Sequence, residues 1–258
     1  MRIDMHGHCG ALGARSSDPA HTRRYLEACA IERLLVANLD AASEPEGARD
    51  VEEAAANVAC LEACRDDSRL APVYWVRFGK TDSNLHALAG ALEIEPFVAV
   101  LLAPALNGYA ADDAGLDAFV AVAGKLRRPV LVLTSRDASA RPALVYALAR
   151  RHRSVPVVLC GAGGETVWHE AVEVVARARD QDDARLVLCT GRAEAGDIVA
   201  AVETLGGERV VLGSDVPALG DQHAAHGMQV LDALAEALPA EVFADLVGGN
   251  AQRMLPLL

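Results

Sequence analysis

Short apolar runs recur along the chain at residues 2–6, 34–38, 71–77, 97–103, 129–134, 155–160, 184–190 and 209–214. Several are almost unbroken, notably VLVL at 130–133 and VVLG at 210–213. Parallel strands covered on both faces read this way, whereas strands wet on one face alternate apolar with polar. Between the runs lie stretches with apolar residues at helical spacing. They predict helices over 51–65, 116–126, 140–150, 167–178, 195–205, 224–238 and 241–246, then a terminal turn at 250–255 that closes the floor or side. Asp137, with Ser139 as competitor, stands where a cap for the 140–150 helix is expected. Residues 40–50 read as a longer exposed loop.

Eight strand–helix units in 258 residues predict an α/β fold, a single-domain (β/α)8 TIM barrel spanning 1–258. The competing architecture is an open doubly wound sheet. No Gly-rich dinucleotide fingerprint follows the first strand, which argues against it.

Charge narrows the partners. The net charge is -12, and only Lys80 and Lys125 interrupt an otherwise all-arginine positive complement. No basic run builds a phosphate-tracking stripe, so nucleic acid is not an expected partner. No apolar stretch has the length of a membrane span, and the opening residues lack a basic region followed by an apolar core. Six cysteines at 9, 29, 60, 64, 160 and 189 form no CxxC pair. A cytoplasmic protein with a small-molecule ligand is the expectation.

Two places carry chemistry. The segment DMHGH sets Asp4, His6 and His8 at alternate positions of the first strand, so the two imidazoles can face one ion. Structural or surface polar residues would give the same pattern. Asp215, in LGSDVP, follows the eighth strand, which neighbours the first in a closed barrel. There a carboxylate can ligate a metal or take a proton from water; the alternative is a cap on the next turn.

With these residues in view, the chain resembles the amidohydrolase superfamily, in its amidohydrolase-related group of metal-dependent hydrolases and decarboxylases. The resemblance rests on RIDMHGH at 2–8, PVLVLTS at 129–135, VPVVLCGAGG at 155–164, RVVLGSDVP at 209–217 and GGNAQRML at 248–255, and runs along essentially the whole chain. It implies His6, His8 and Asp215 as metal ligands at strand ends, with Asp215 also handling the proton of an attacking water. It further implies histidines ending strands five and six, where this chain has Leu133 and Gly161, and a charged ligand near strand four, where AVLLAP at 99–104 has none. The metal site is therefore degenerate. One divalent ion is implied, zinc first and manganese or iron as alternatives, or none at all. A homo-oligomer is a further family-based expectation.

Other residues extend the site. Cys160 and Cys189 end strands six and seven, as buried structural thiols or as substitute soft ligands. His223 and His226 open a helix after strand eight, on its surface or overhanging the site. Arg77, Arg136 and Arg192 stand at strand ends, Arg15 in the first loop and Asn107 near the rim. They are candidate substrate-binding residues for a carboxylate or phosphate; a rim with internal Arg–Asp pairing is the alternative. Two functions follow. One is a mononuclear metal-dependent hydrolase acting on a small, anionic substrate through metal-activated water, with decarboxylation as a variant. The other is a noncatalytic barrel for ligand binding, regulation or assembly.

Overall fold

The apolar runs form eight parallel strands: β1 (Ile3–Cys9), β2 (Arg33–Asn38), β3 (Leu70–Val76), β4 (Ala99–Leu102), β5 (Val130–Leu133), β6 (Val157–Cys160), β7 (Leu186–Cys189) and β8 (Val210–Val211). In this computed structural model, residues 1–13, 15, 16, 18–164 and 167–255 are described. Each strand pairs with the next in sequence order. The circuit closes through backbone bonds between β1 and the segment after β8. The Met5 N–H donates to the Leu212 carbonyl at 2.9 Å, the Asp215 N–H to His6 at 2.9 Å, and the His8 N–H to Val216 at 2.8 Å. The fold is a (β/α)8 barrel.

Alternate strand residues divide into two cores. Met5, Leu35, Val73, Trp75, Leu101, Leu131, Val158 and Val211 fill the barrel interior. Leu34, Val36, Val76, Val100, Val132, Leu159, Leu188 and Val210 face the helices. Burying each such side chain contributes roughly 1.5–3 kcal/mol, which is why the runs are apolar on both faces.

The covering helices are α1 (Pro19–Ala28), α2 (Glu53–Asp66), α3 (Leu85–Ile94), α4 (Leu116–Lys125), α5 (Pro142–Arg151), α6 (Trp168–Gln181), α7 (Ala195–Leu205) and α8 (His223–Ala237). Both α1 and α3 lie outside the predicted helices. The first buries only Thr22, Tyr25 and Leu26, and is started by Asp18 accepting from the Ala20 N–H with proline behind it. The second buries Leu88 and Leu92 behind an Asn84 cap. Neither carries a long apolar stripe.

Asp137 caps the short turn Ala138–Ala140 and not the following helix, whose N-terminal residue is Pro142. The 40–50 segment is a loop exposed at Glu44, Glu46, Gly47, Arg49 and Asp50 and anchored at its start. Ala41 and Ala42 are buried, and Asp40 accepts from the Ala11 N–H at 2.8 Å. At the barrel floor, Ala251 and Leu255 enter the interior core while Asn250 bonds the carbonyls of Gly207 and Val210. No helix among the described residues is long and apolar enough to cross a membrane.

Candidate metal centre

A local irregularity aims the first strand's side chains. Asp4 pairs with Leu34 and Gly7 with Val36, so three steps along β1 match two along β2. Such a bulge breaks strict alternation and re-aims side chains. Asp4 consequently faces the helix layer, where Tyr25 of α1 donates to its Oδ2 at 2.8 Å. Past the bulge His8 pairs with Ala37, an interior position. The rings of His6 and His8 meet edge to face, 4.5 Å apart.

Asp215 comes to them from the far end of the chain. Its φ of 61° is left-handed, costing roughly 1–2 kcal/mol for a non-glycine residue. Backbone bonds to His6 and from Ala218 hold it there. One carboxylate oxygen, Oδ1, lies 3.1 Å from His8 Nε2 and 3.5 Å from His6 Nε2. The other, Oδ2, lies 3.0 Å from Arg192 Nε. Burial works to raise the Asp215 pKa, but contacts with His6 and His8 outweigh it and hold the carboxyl below the usual range. Burial lowers the pKa of His6, His8 adds to that, and Asp215 opposes it, a balance that favours the neutral imidazole.

Asp4 is the hidden support of this corner. Fully buried, it accepts the N–H groups of His6 at 2.9 Å and Ser214 at 3.1 Å. One carboxyl thus fixes the backbone beside two of the candidate ligands. Burial pushes its pKa up to about 6 although those bonds and Tyr25 pull it down. The sequence motif contains Asp4, but nothing in its spacing reveals that it faces away from the histidines.

The three groups fit one metal ion. Ligand atoms of His6, His8 and Asp215 all lie within 4.8 Å of one another. The Nε2 of His6 and the Nδ1 of His8 are buried without a hydrogen-bond partner. Two imidazoles and a carboxylate are a recurrent donor set for a mononuclear centre with an open position. Above it lies a cavity of about 180 Å³ lined by His8, Thr134, Ser135, Arg192 and Asp215, with Leu12, Leu39, Leu106, Leu133 and Pro217 as apolar walls.

Of the rim candidates whose side chains are described, Arg192 alone lines this cavity. Arg77 is buried and paired with Asp50 and Asp82, while its N–H donates to Glu53 at 2.7 Å. Asn107 is spent on the wall, accepting from Trp75 Nε1 at 2.8 Å and donating to Ala41 at 2.9 Å. Arg136 is exposed, and the side chain of Arg15 lies outside those described. For Arg77, internal pairing is what the structure contains. Cys160 and Cys189 are fully buried in the interior core. His223 is also buried, against Tyr25, rather than on a helix surface.

A family model described as amidohydrolase matches residues 3–257. The chain belongs to the amidohydrolase family. No curated protein matches. Among solved structures, a 2,6-dihydroxybenzoate decarboxylase complexed with 2,6-dihydroxybenzoate is similar at TM-score 0.75 and 13% identity, with 98% of each chain covered. A 4-oxalomesaconate hydratase from Rhodopseudomonas palustris is similar at TM-score 0.71 and 14% identity, covering 99% of this chain and 96% of that one. An amidohydrolase from Burkholderia multivorans with bound zinc is similar at TM-score 0.68 and 18% identity, covering 99% and 100%. At these identities the likenesses speak for the fold.

In this family setting, the ligand cluster is incomplete. Leu133 ends β5 and Gly161 follows β6, and both line the cavity. Gly161 has φ +82°, and a Cβ there would stand 2.9 Å from the Thr134 carbonyl oxygen. That position has no room for an unstrained side chain.

Proposed function

We propose that this chain is a mononuclear divalent-metal hydrolase acting on a small anionic substrate. The convergence of His6, His8 and Asp215 under the cavity carries the reading. When bound, the ion, zinc first with manganese or iron as alternatives, acidifies water and polarises a carbonyl-like group. His6 and His8 would hold it through buried imidazoles, in which the Nε2 of His6 and the Nδ1 of His8 have no hydrogen-bond partner.

Asp215 has two duties, divided between its oxygens. Oδ1 belongs to the histidine side, while Oδ2 faces Arg192. A carboxylate held so firmly ionised is a ligand and orienting group first. It becomes the better proton acceptor once Arg192 turns to an anionic substrate group, because the opposing positive charge then leaves its oxygen. Arg192 Nε is buried without an aligned hydrogen bond, so its commitment to Asp215 is incomplete. The leucine walls exclude water from the reacting groups and strengthen the charge interactions beneath them. Decarboxylation remains a variant of the same arrangement, with Asp215 handling the proton.

A second reading has its own observation. Leu133 and Gly161 leave the cavity's far side without ligands, which favours a noncatalytic, ligand-binding barrel. Six free cysteines support a reducing, cytoplasmic setting for either reading. Metal analysis of protein purified without chelator separates them. The hydrolase reading expects about one ion per chain, with affinity falling roughly a hundredfold or more in a His6→Ala/His8→Ala variant. No retained metal after supplementation with zinc, manganese and iron sinks the metal reading and leaves the noncatalytic one.

A further inference from the structure

The opposite end of the barrel holds a second concentration of charge. Two adjoining hollows of about 350 and 250 Å³ open at the N-terminal ends of β5 to β8, and share Pro156, Arg185, Arg253 and Met254. The larger is lined by Arg127, Arg128, Arg185 and Arg253, and contains no carboxylate among the described lining residues. The smaller adds Arg209 together with Glu208. A chain of net charge -12 has thus gathered five arginines around one end of its barrel.

Among the described residues, most of their hydrogen-bonding capacity is uncommitted. Each guanidinium carries five N–H donors. Arg128 makes only long contacts to the carbonyls of Leu126 at 3.3 Å and Leu92 at 3.4 Å, and its Nε is buried without a partner. Burial lowers the pKa of Arg128, so its charge lacks compensation. Arg185 reaches one carbonyl, of Ser154, at 3.3 Å. Arg253 is the exception, tied to Asp245 at 3.0 Å and to Asn250. Like charges held around a hollow repel one another unless an anion enters.

We infer that this hollow binds a small polyanion of the pyrophosphate class, at a site separate from the candidate metal centre. Forked guanidinium groups match phosphate oxygens, and several around one hollow suit linked phosphoryl groups better than a single charge. The volume of the larger hollow falls within the range of small-molecule sites. A concave site of this size does not fit the extended track of a nucleic acid backbone.

The test is calorimetric titration of metal-stripped protein with inorganic pyrophosphate at physiological salt. Saturable binding is expected with a Kd below about 1 mM, at least tenfold tighter than orthophosphate. Arg128→Gln/Arg185→Gln should weaken it about tenfold or more, and Arg192→Gln at the far end should leave it unchanged. Should Arg128→Gln impair folding, the exposed pair Arg127→Glu/Arg185→Glu serves instead, with thermal melting as the control. A nucleoside diphosphate arm, binding as tightly as pyrophosphate, would locate recognition in the phosphates. No saturation by about 5 mM, or binding lost in Arg192→Gln and kept in the floor variants, overturns the inference. Metal content plays no part in the readout, so the outcome stands apart from that of the hydrolase reading.

Discussion

Two corners of one cavity are built in opposite ways. At the β8–β1 corner, His6, His8 and Asp215 meet over Asp4, whose buried carboxyl ties the His6 and Ser214 backbones together. At the β5–β6 corner, Leu133 and Gly161 line the wall. There both the N–H and the hydroxyl of Thr134 donate to the Cys160 carbonyl, each at 2.8 Å. These bonds draw the end of β5 onto the end of β6. They also put the Thr134 carbonyl oxygen where a side chain on Gly161 would begin. The two positions where the resemblance implies histidines therefore differ in kind. Leu133 offers an ordinary side-chain position, whereas at Gly161 the backbone closes over the place a side chain would take.

The sharpest way to break this contrast is to place a histidine at each position singly. Gly161→His forces a β-carbon into a left-handed conformation and against a backbone oxygen, neither of which can yield cheaply. It should cost about 2–4 kcal/mol, measured by urea unfolding. A loss under about 0.5 kcal/mol would mean that the β6 end rearranges freely and that the contrast is illusory.

Leu133→His should act the other way. Leu133 already lines the cavity that contains His8 and Asp215, and its strand-end backbone asks for no special conformation. A fourth donor there is expected to tighten zinc about tenfold, read by competition with a coloured chelator. Unchanged affinity would show that the β5 position does not face the candidate ligands.

These differences mark where sequence stops being informative. The eight strands are legible because parallel strands buried on both faces must be apolar throughout, and His6, His8 and Asp215 because ligand chemistry limits residue type. The bulge that turns Asp4 outward while His8 faces inward is a register property, and DMHGH reads the same without it. Likewise, Gly161 reads as a simple deletion until its φ of +82° is known. Arg77 and Arg192 occupy similar strand-end positions, yet one meets Asp50 and Asp82 while the other meets Asp215. Which carboxylate an arginine meets depends on loops that no periodicity describes.

The retained corner should also be the acid-sensitive one. His223 is buried behind it, its ring edge-on to Tyr25 at 5.1 Å and its Nδ1 accepting from the Leu219 N–H at 3.4 Å. Burial lowers its pKa to about 4, against the pull of Asp215 and with the help of His226 and Arg192. A histidine whose folded pKa lies below its ordinary 6.5 contributes stability above pH 6.5 and loses it as pH falls toward 4. Asp215, with its pKa held low, keeps its contribution throughout that interval and loses it only in stronger acid. His6 shares the direction of His223, while Asp4, its pKa pushed up to about 6, works the opposite way over the same interval, so the wild-type slope contains all three. Replacing His223 with Gln should remove its share, about 2 kcal/mol at pH 5, leaving a Tm that falls roughly 4 °C less between pH 7 and pH 5. Parallel melting curves for the two proteins across that interval would mean that His223 is solvated enough to protonate at no cost, and that the acid sensitivity of this corner belongs to His6.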